Sequence, residues 1–259
     1  MATQSEVLPI QLDGTRLRVM KPDGTLATVD ELVGASLVVS VAGGEPQTVR
    51  IDAIEPDPSD KTGEVLLYTL SRQDPQTGAW HNVCPPDPSG LQRGFLFEGW
   101  FTPTGEHRRA PGELELACTS DAIGKCIRLG YHPWRSDEMF AQHQACTRML
   151  RADYCGDGTS HTRQGTLIDG YDKVGIQKDE PAPGMELEAG WGVDGATCVR
   201  RTRIPEDFTL DDVLAACPHK LAGKLGEACT EEWLAASSET LLMNKSLPRP
   251  RRESLQTTP

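Results

Sequence analysis

Residues 131–172 read YHPWRSDEMFAQHQACTRMLRADYCGDGTSHTRQGTLIDGYD. An aromatic-proline turn leads into the clearest helical pattern of the chain. Ser136 is an N-cap type, and Asp137 and Glu138 follow it where the helix dipole favours acids. Met139, Phe140, His143, Cys146 and Leu150 keep the three-four rhythm of one buried face. Arg148 and Arg151 suit the negative end, and Gly156 and Gly158 are placed to stop the helix. A polar loop rich in Gly, Asp and Thr follows. One strong helix inside a chain otherwise patterned for strands predicts a β-rich α+β fold.

Outward on the N-terminal side, short apolar runs alternate with turns. Asp13-Gly14, Asp23-Gly24 and Gly43-Gly44 are hairpin-type signals. SLVVSVAGGEPQTVRIDAI predicts two antiparallel strands around Ala42-Gly43-Gly44-Glu45. A loose ten-residue echo (Gly14, Gly24, Gly34) reads as similar turns in an ordinary sheet. PDPSDKTG, residues 56–63, reads as a solvated acidic loop. EVLLYTLSRQ and GAWHNVC predict another strand pair. GFLFEGWF, with Phe95, Phe97 and Phe101, predicts a strand with a bulge near Gly99. ELELACTS and GKCIRLGY are expected to form a hairpin.

On the C-terminal side, MELEAGWGVDGATCVRRTRI predicts a strand pair turning at Val193-Asp194-Gly195. Thr209 caps a short helix, LDDVLAAC, which Pro218 interrupts, and a broken second helix follows. From Asn244 onward almost nothing apolar remains, so residues 244–259 are expected to be disordered. The expected organisation is a flexible start at 1–6, an antiparallel β portion at 7–130 and a helix-and-loop portion at 131–243. The last two are expected to share one core.

The net charge of −12 argues against a nucleic-acid partner, because phosphate binding needs a basic face. No run of about 18 apolar residues exists to span a membrane. The start, MATQSEVLPIQ, lacks a basic region and an apolar core, so it is not a signal peptide. Gly (25) and Pro (19) are frequent, and the eight cysteines are dispersed. None has C-x-x-C spacing, which disfavours a zinc ribbon. An even, dispersed set in a turn-rich chain predicts a disulfide framework, an oxidising compartment and an export leader already removed. Cys118–Cys126 flank one turn and are the expected local bridge. Cys217–Cys229 are expected to staple the two C-terminal helical pieces. On a continuous helix Cys146 and Cys155 lie about 13 Å apart along the axis, beyond the ~7 Å a bridge allows. They are therefore expected to bond elsewhere, with Cys84 and Cys198 left as partners; Cys155 is expected to join one of these two.

Several motifs resemble the signature of bacterial ADYC-domain proteins. They are Gly130-Tyr131-His132-Pro133-Trp134, Ala145-Cys146-Thr147-Arg148, and Arg151-Ala152-Asp153-Tyr154-Cys155-Gly156-Asp157-Gly158. Gly165-Thr166-Leu167-Ile168 and Gly195-Ala196-Thr197-Cys198-Val199 fit as well. The resemblance spans roughly residues 30–217. It implies an exported bacterial protein, often made behind a signal or lipoprotein leader, and it carries over no catalytic residue.

Three functional readings compete for the central loop. A nucleophilic Cys155 with His161, His143 or His132 as base requires an activated thiol. The negative end of a helix raises a thiol pKa instead. A hydrolase using Asp153 and His161 is a variant of this reading. Calcium held by Asp157, Asp169 and Asp172, with Asp153 nearby, suits an oxygen-rich turn; the spacing matches no EF-hand. No other cofactor is expected. The third reading is a non-catalytic module whose loop, with Asp157, Thr159, His161, Arg163 and Asp169, binds a surface protein or a glycan.

Overall fold

The computed structural model describes residues 10–41 and 44–248. The chain divides into two compact units, Met1–Pro103 with His107–Met139, and Thr104–Glu106 with Phe140–Pro259.

In the first unit, β1 (Ile10–Asp13) and β2 (Arg16–Val19) form a hairpin. Gly14 makes its turn at φ 64°, which glycine adopts without strain. A single-turn helix, α1 (Val29–Leu32), follows with a Thr28–Glu31 capping box. Next come β3 (Ser36–Val41), β4 (Gln47–Pro56), β5 (Leu66–Gln73) and β6 (Trp80–Asn82). After these lie β7 (Gly94–Glu98), β8 (Trp100–Phe101), β9 (His107–Arg108), β10 (Leu114–Cys118) and α2 (Ala122–Arg128).

The large sheet runs β4-β3-β10-β7-β5-β6, and β4 also pairs with β5. Strand β4 is long enough to serve two partners. Gln47 to Arg50 face β3, and Arg50 to Pro56 face β5, with a register shift between Ile51 and Ala53. Five strands therefore close into a ring, sealed by the parallel pairing of β10 on β3. Strands β5, β7 and β10 are buried on both faces, whereas β3 and β4 bury only alternate residues and leave Val38 58% exposed. Leu66, Tyr68, Leu70, Leu96, Leu114 and Leu116 fill one cluster. Val65, Leu67, Phe95, Phe97 and Ala117 belong to a second, with Ile123 and Ile127 of α2. Cys84–Cys118 bridges into β10.

Two expectations fail in this unit. GKCIRLGY forms no strand. Asp121 accepts from the Gly124 amide and caps a helix instead, so the expected hairpin becomes strand-turn-helix. Cys118 bonds Cys84 rather than Cys126, because the helix does not return beside β10 as a paired strand. The 56–63 loop is only partly solvated: Asp57 is buried and holds Arg128 at 3.0 Å, and Arg128 also reaches Asp87. The strand pairs at 36–56 and 66–82 and the break at Gly99 (φ 107°) stand where expected. Ala42 and Gly43 lie outside the described residues.

The second unit holds most of α3 (Asp137–Arg151), whose Met139 amide is capped by Ser136 Oγ. After it come β11 (Ile168–Asp172), β12 (Glu186–Gly192) and β13 (Gly195–Val199). The chain continues through α4 (Leu210–Ala216), α5 (Pro218–Leu221), a 3-10 turn at Gly226–Ala228, α6 (Glu231–Ala236) and β14 (Leu242–Ser246). The sheet order is β11-β14-β12-β13, antiparallel throughout. Leu234 of α6 packs over Gly190, where a Cβ would lie 2.1 Å from Leu234 Cδ2.

The expectation of disorder from Asn244 is wrong through Ser246. Strand β14 is an inner strand, and its buried polar residues Asn244 and Ser246 each find a side-chain partner. Asn244 Oδ1 accepts from Trp191 Nε1 at 2.8 Å, and the Ser246 hydroxyl donates to Glu188. Residues 249–259 lie outside the described residues. The helix pair 217–229 is not stapled to itself either: Cys217 bonds Cys155 and Cys229 bonds Cys198. Cys126 and Cys146 are disulfide-bonded as well, so none of the eight cysteines is free. Among the described residues no helix is long and apolar enough to cross a membrane.

Candidate functional site

Helix α3 ends one turn earlier than its glycines suggest. Ala152 takes φ 51°, the positive-φ conformation that no other described non-glycine residue adopts. That conformation costs roughly 1–2 kcal/mol for an L-residue, and a fully buried methyl leaves no room for a larger side chain. The reversal turns Asp153 back under the helix end. Its carboxylate accepts from the amides of Gly156 (2.9 Å), Asp157 (3.1 Å) and Gly158 (3.0 Å). It also pairs with Arg148, and both charges are buried. Arg148 extends to the carbonyls of Val193 and Thr104. A buried carboxylate with this many donors is satisfied.

Tyr154 comes next and is buried completely. Its hydroxyl accepts from the Arg203 amide at 2.7 Å and donates to Glu188 at 3.3 Å. Burial, with the Glu188 charge beside it, pushes the phenol well above its ordinary range. Arg203 is the hub of this layer. Its guanidinium lies 2.9 Å from Glu188 and donates to the Met149 (2.8 Å) and Leu150 (3.0 Å) carbonyls and to Thr162. It thus caps the C-terminus of α3 with a fixed positive charge. Burial alone disfavours the cation, but Glu188 overrides it and the Arg203 pKa is raised.

Cys155 closes the turn by bonding Cys217 at the start of α5. Neither expected partner, Cys198 or Cys84, takes it. The Ala152 reversal aims Cys155 toward the residues after α4, not toward β13. Gly156 packs on the β12–β13 turn so tightly that a Cβ would sit 1.7 Å from the Asp194 carbonyl. Lys220 donates to that same carbonyl and to the Cys155 carbonyl. Burial pulls its pKa down to about 8.

These contacts decide the chemistry of the expected catalytic residues. Cys155 carries no thiol, so it is no nucleophile while its bridge is intact. His143 is fully buried, and His132 stacks on Trp134 at 4.9 Å. His161 stacks on Phe208 at 3.7 Å, its amide donates to Arg151, and burial lowers its pKa.

Two of the three expected metal ligands accept from backbone amides, while Asp169 Oδ2 is buried without a hydrogen-bond partner among the described residues. Asp157 accepts from Thr159, and Asp172 accepts from four amides, Val174 to Gln177. Asp169 lies on β11 opposite Lys245, its pKa raised by burial and by Asp179. Among the described residues no group of three or more His, Cys, Asp or Glu side chains could hold a metal ion. Asp157, Thr159, Arg163, Gln164 and Leu167 remain exposed on the loop, and Arg163 is tied to Glu206 and Asp207.

Sequence reasoning missed Glu188, Arg203, Asn244 and Ser246. A signal was present in MELEAGWG. A glutamate inside a strand buried on both faces demands a buried cation, and Arg200, Arg201 and Arg203 follow one hairpin later.

A family model described as the ADYC domain matches residues 29–205. Searches of curated proteins and of solved structures return no match.

Proposed function

The chain belongs to the ADYC-domain family, and from that membership we propose that it is an extracytoplasmic binding module with no catalytic centre in its central stretch. The observation that carries this reading is the use of the family tetrad itself. Ala152 makes the reversal, Asp153 gathers three amides and an arginine, Tyr154 joins the Arg203–Glu188 layer, and Cys155 is a disulfide. Each residue serves the fold, and none is presented to a substrate. Oxidation of all eight cysteines supports an oxidising compartment.

What this knot displays is the loop from 157 to 167. Its polar side chains stand on a rigid base, the arrangement a recognition loop needs. A surface protein or a glycan is the partner class. The test presents the full chain to a glycan array and to isolated cell-envelope fractions. A variant carrying Asp157→Ala, Thr159→Ala and Arg163→Ala serves as its comparison. Retention should fall at least tenfold in the variant with the melting curve unchanged. Retention indifferent to these three residues, or chemical turnover of a retained glycan, overturns the reading.

A further inference from the structure

The barrel unit carries a cleft that the loop reading does not use. It has a volume of about 170 Å³ and lies between the β1–β2 hairpin and α1. Its floor is apolar, with Leu17, Leu32, Ile54 and Leu66 beside the ring of Tyr68. The Tyr68 hydroxyl has no capacity to spare: it donates to the Thr15 carbonyl at 2.7 Å and accepts from the Leu17 amide.

The rim is unusual in two ways. First, Met20, Leu26, Val29 and Val33 are each between 38% and 45% exposed. They are contiguous, because Met20 bridges to Leu26, Leu26 and Val29 both line the cleft, and Val29 and Val33 lie one helical turn apart. Exposed apolar side chains are ordinary when scattered, but a contiguous set around a hollow marks an interaction face. Second, Arg16 lines the cleft half-buried. Among the described residues its guanidinium makes no hydrogen bond or ion pair. Neighbouring charges are already matched, Arg18 with Asp13 and Lys21 with Glu31. Asp13 stands opposite Arg16 in the hairpin and feels its charge, but its carboxylate bonds Arg18, so the Arg16 guanidinium keeps its donors unused at the edge of an apolar hollow.

The size narrows the occupant. Small-molecule sites run to roughly 300–1,000 Å³, so this hollow admits one side chain and not a whole metabolite. We propose that this face docks an acidic protein segment, which inserts one aliphatic or aromatic side chain into the cleft and sets a carboxylate on Arg16. The apolar rim then covers the segment on either side, in the pattern of an anchor residue ringed by contacts that exclude water.

The experiment pans a random twelve-residue peptide library, displayed on phage, on the full chain. Enriched peptides are then synthesised and titrated by fluorescence anisotropy. The expected consensus is an apolar residue beside Asp or Glu. Arg16→Glu should weaken these peptides at least tenfold, and replacing their acid by Lys should restore binding to that variant. Leu26→Asp should abolish binding. Both positions are on the rim, and an unchanged melting curve establishes that the variants fold.

Enrichment of no sequence, or peptides that bind both variants as well as the parent, overturns the proposal. So does a dimer in sedimentation that Leu26→Asp dissolves, which makes a second copy the occupant. Binding to phosphatidylglycerol vesicles that Arg16→Glu removes overturns it in favour of a membrane surface. The loop variant of Asp157, Thr159 and Arg163 should keep its peptide affinity, so the two readings fail separately.

Discussion

Replacing Arg203 by Met tests whether the buried layer under Tyr154 holds the second unit together. The side chain is 1% exposed and its partner Glu188 is fully buried. Removing the cation leaves the Glu188 carboxylate with only the Tyr154 and Ser246 hydroxyls as donors, takes the guanidinium from the Leu150 carbonyl, and leaves the Met149 carbonyl with the Ala152 amide alone. Breaking a buried pair on one side costs about 3–5 kcal/mol, and each lost carbonyl bond adds roughly 0.5–1.5 kcal/mol. The sum is about 4–8 kcal/mol, a large share of the ~5–15 kcal/mol that a domain possesses. Urea unfolding with disulfides intact measures it. Hydrogen exchange of β12 and β14 reads this unit apart from the barrel. Glu188→Met should destabilise to a similar degree. The double variant should recover most of the loss, because two well-packed apolar groups leave no charge stranded. A single variant within about 1 kcal/mol of the parent, or a double variant as unstable as the two losses added together, refutes this account.

Cys155→Ser should free one thiol, on Cys217, and cost about 4 kcal/mol for a loop of this separation; mass spectrometry after alkylation identifies the partner, and a free Cys198 or Cys84 contradicts the structure. Gly156→Ala should destabilise by about 2 kcal/mol or more, since the new Cβ meets both a positive φ and the Asp194 carbonyl; an unchanged melt contradicts this packing. His107 is 5% exposed and stacks on Phe101, and burial pulls its pKa from 6.5 to about 4. The unfolded ring takes its proton as pH drops below 6.5 while the folded ring resists until about 4. Its contribution is therefore complete above pH 6.5 and is lost across that window, about 3 kcal/mol in all. His107→Phe should flatten the stability-pH slope there; an unaltered slope means another group titrates. Millimolar calcium should leave the melting temperature unmoved, because Asp157 and Asp172 already serve backbone amides; a rise that Asp172→Ala abolishes reverses this.

Local pattern was legible where it was self-contained. The 36–56 and 186–199 strand pairs carry their alternation and turns within a few residues of each other, and Ser136 announces α3. The sequence misled where a polar residue had a distant purpose. Asp121 looked like part of a turn and proved to be a cap, because nothing nearby distinguishes the two. Asn244 and Ser246 looked like a solvated tail because composition does not reveal that Trp191 and Glu188 await them. Cysteine spacing favoured near neighbours, whereas pairing follows the tertiary path: Cys84 reaches β10, and Cys155 reaches α5. The central stretch stands out by its residues, but the contacts those residues make are legible only once Arg203 and Arg148 are in place.

The parallel seam of the barrel fixes an order of assembly. Ser40 and Val41 take their partners from Glu115 and Leu116. A chain emerging from its N-terminus thus exposes one edge of β3 until the whole intervening meander has been made. No local hairpin can cover that edge, and such non-local closure is slow. Any chain cut short before Leu114 therefore presents an unfinished sheet, open to pairing with another copy. Cys118 sits on this same last strand, so its bond to Cys84 joins residues that meet only when the ring does, and oxidation records the closure.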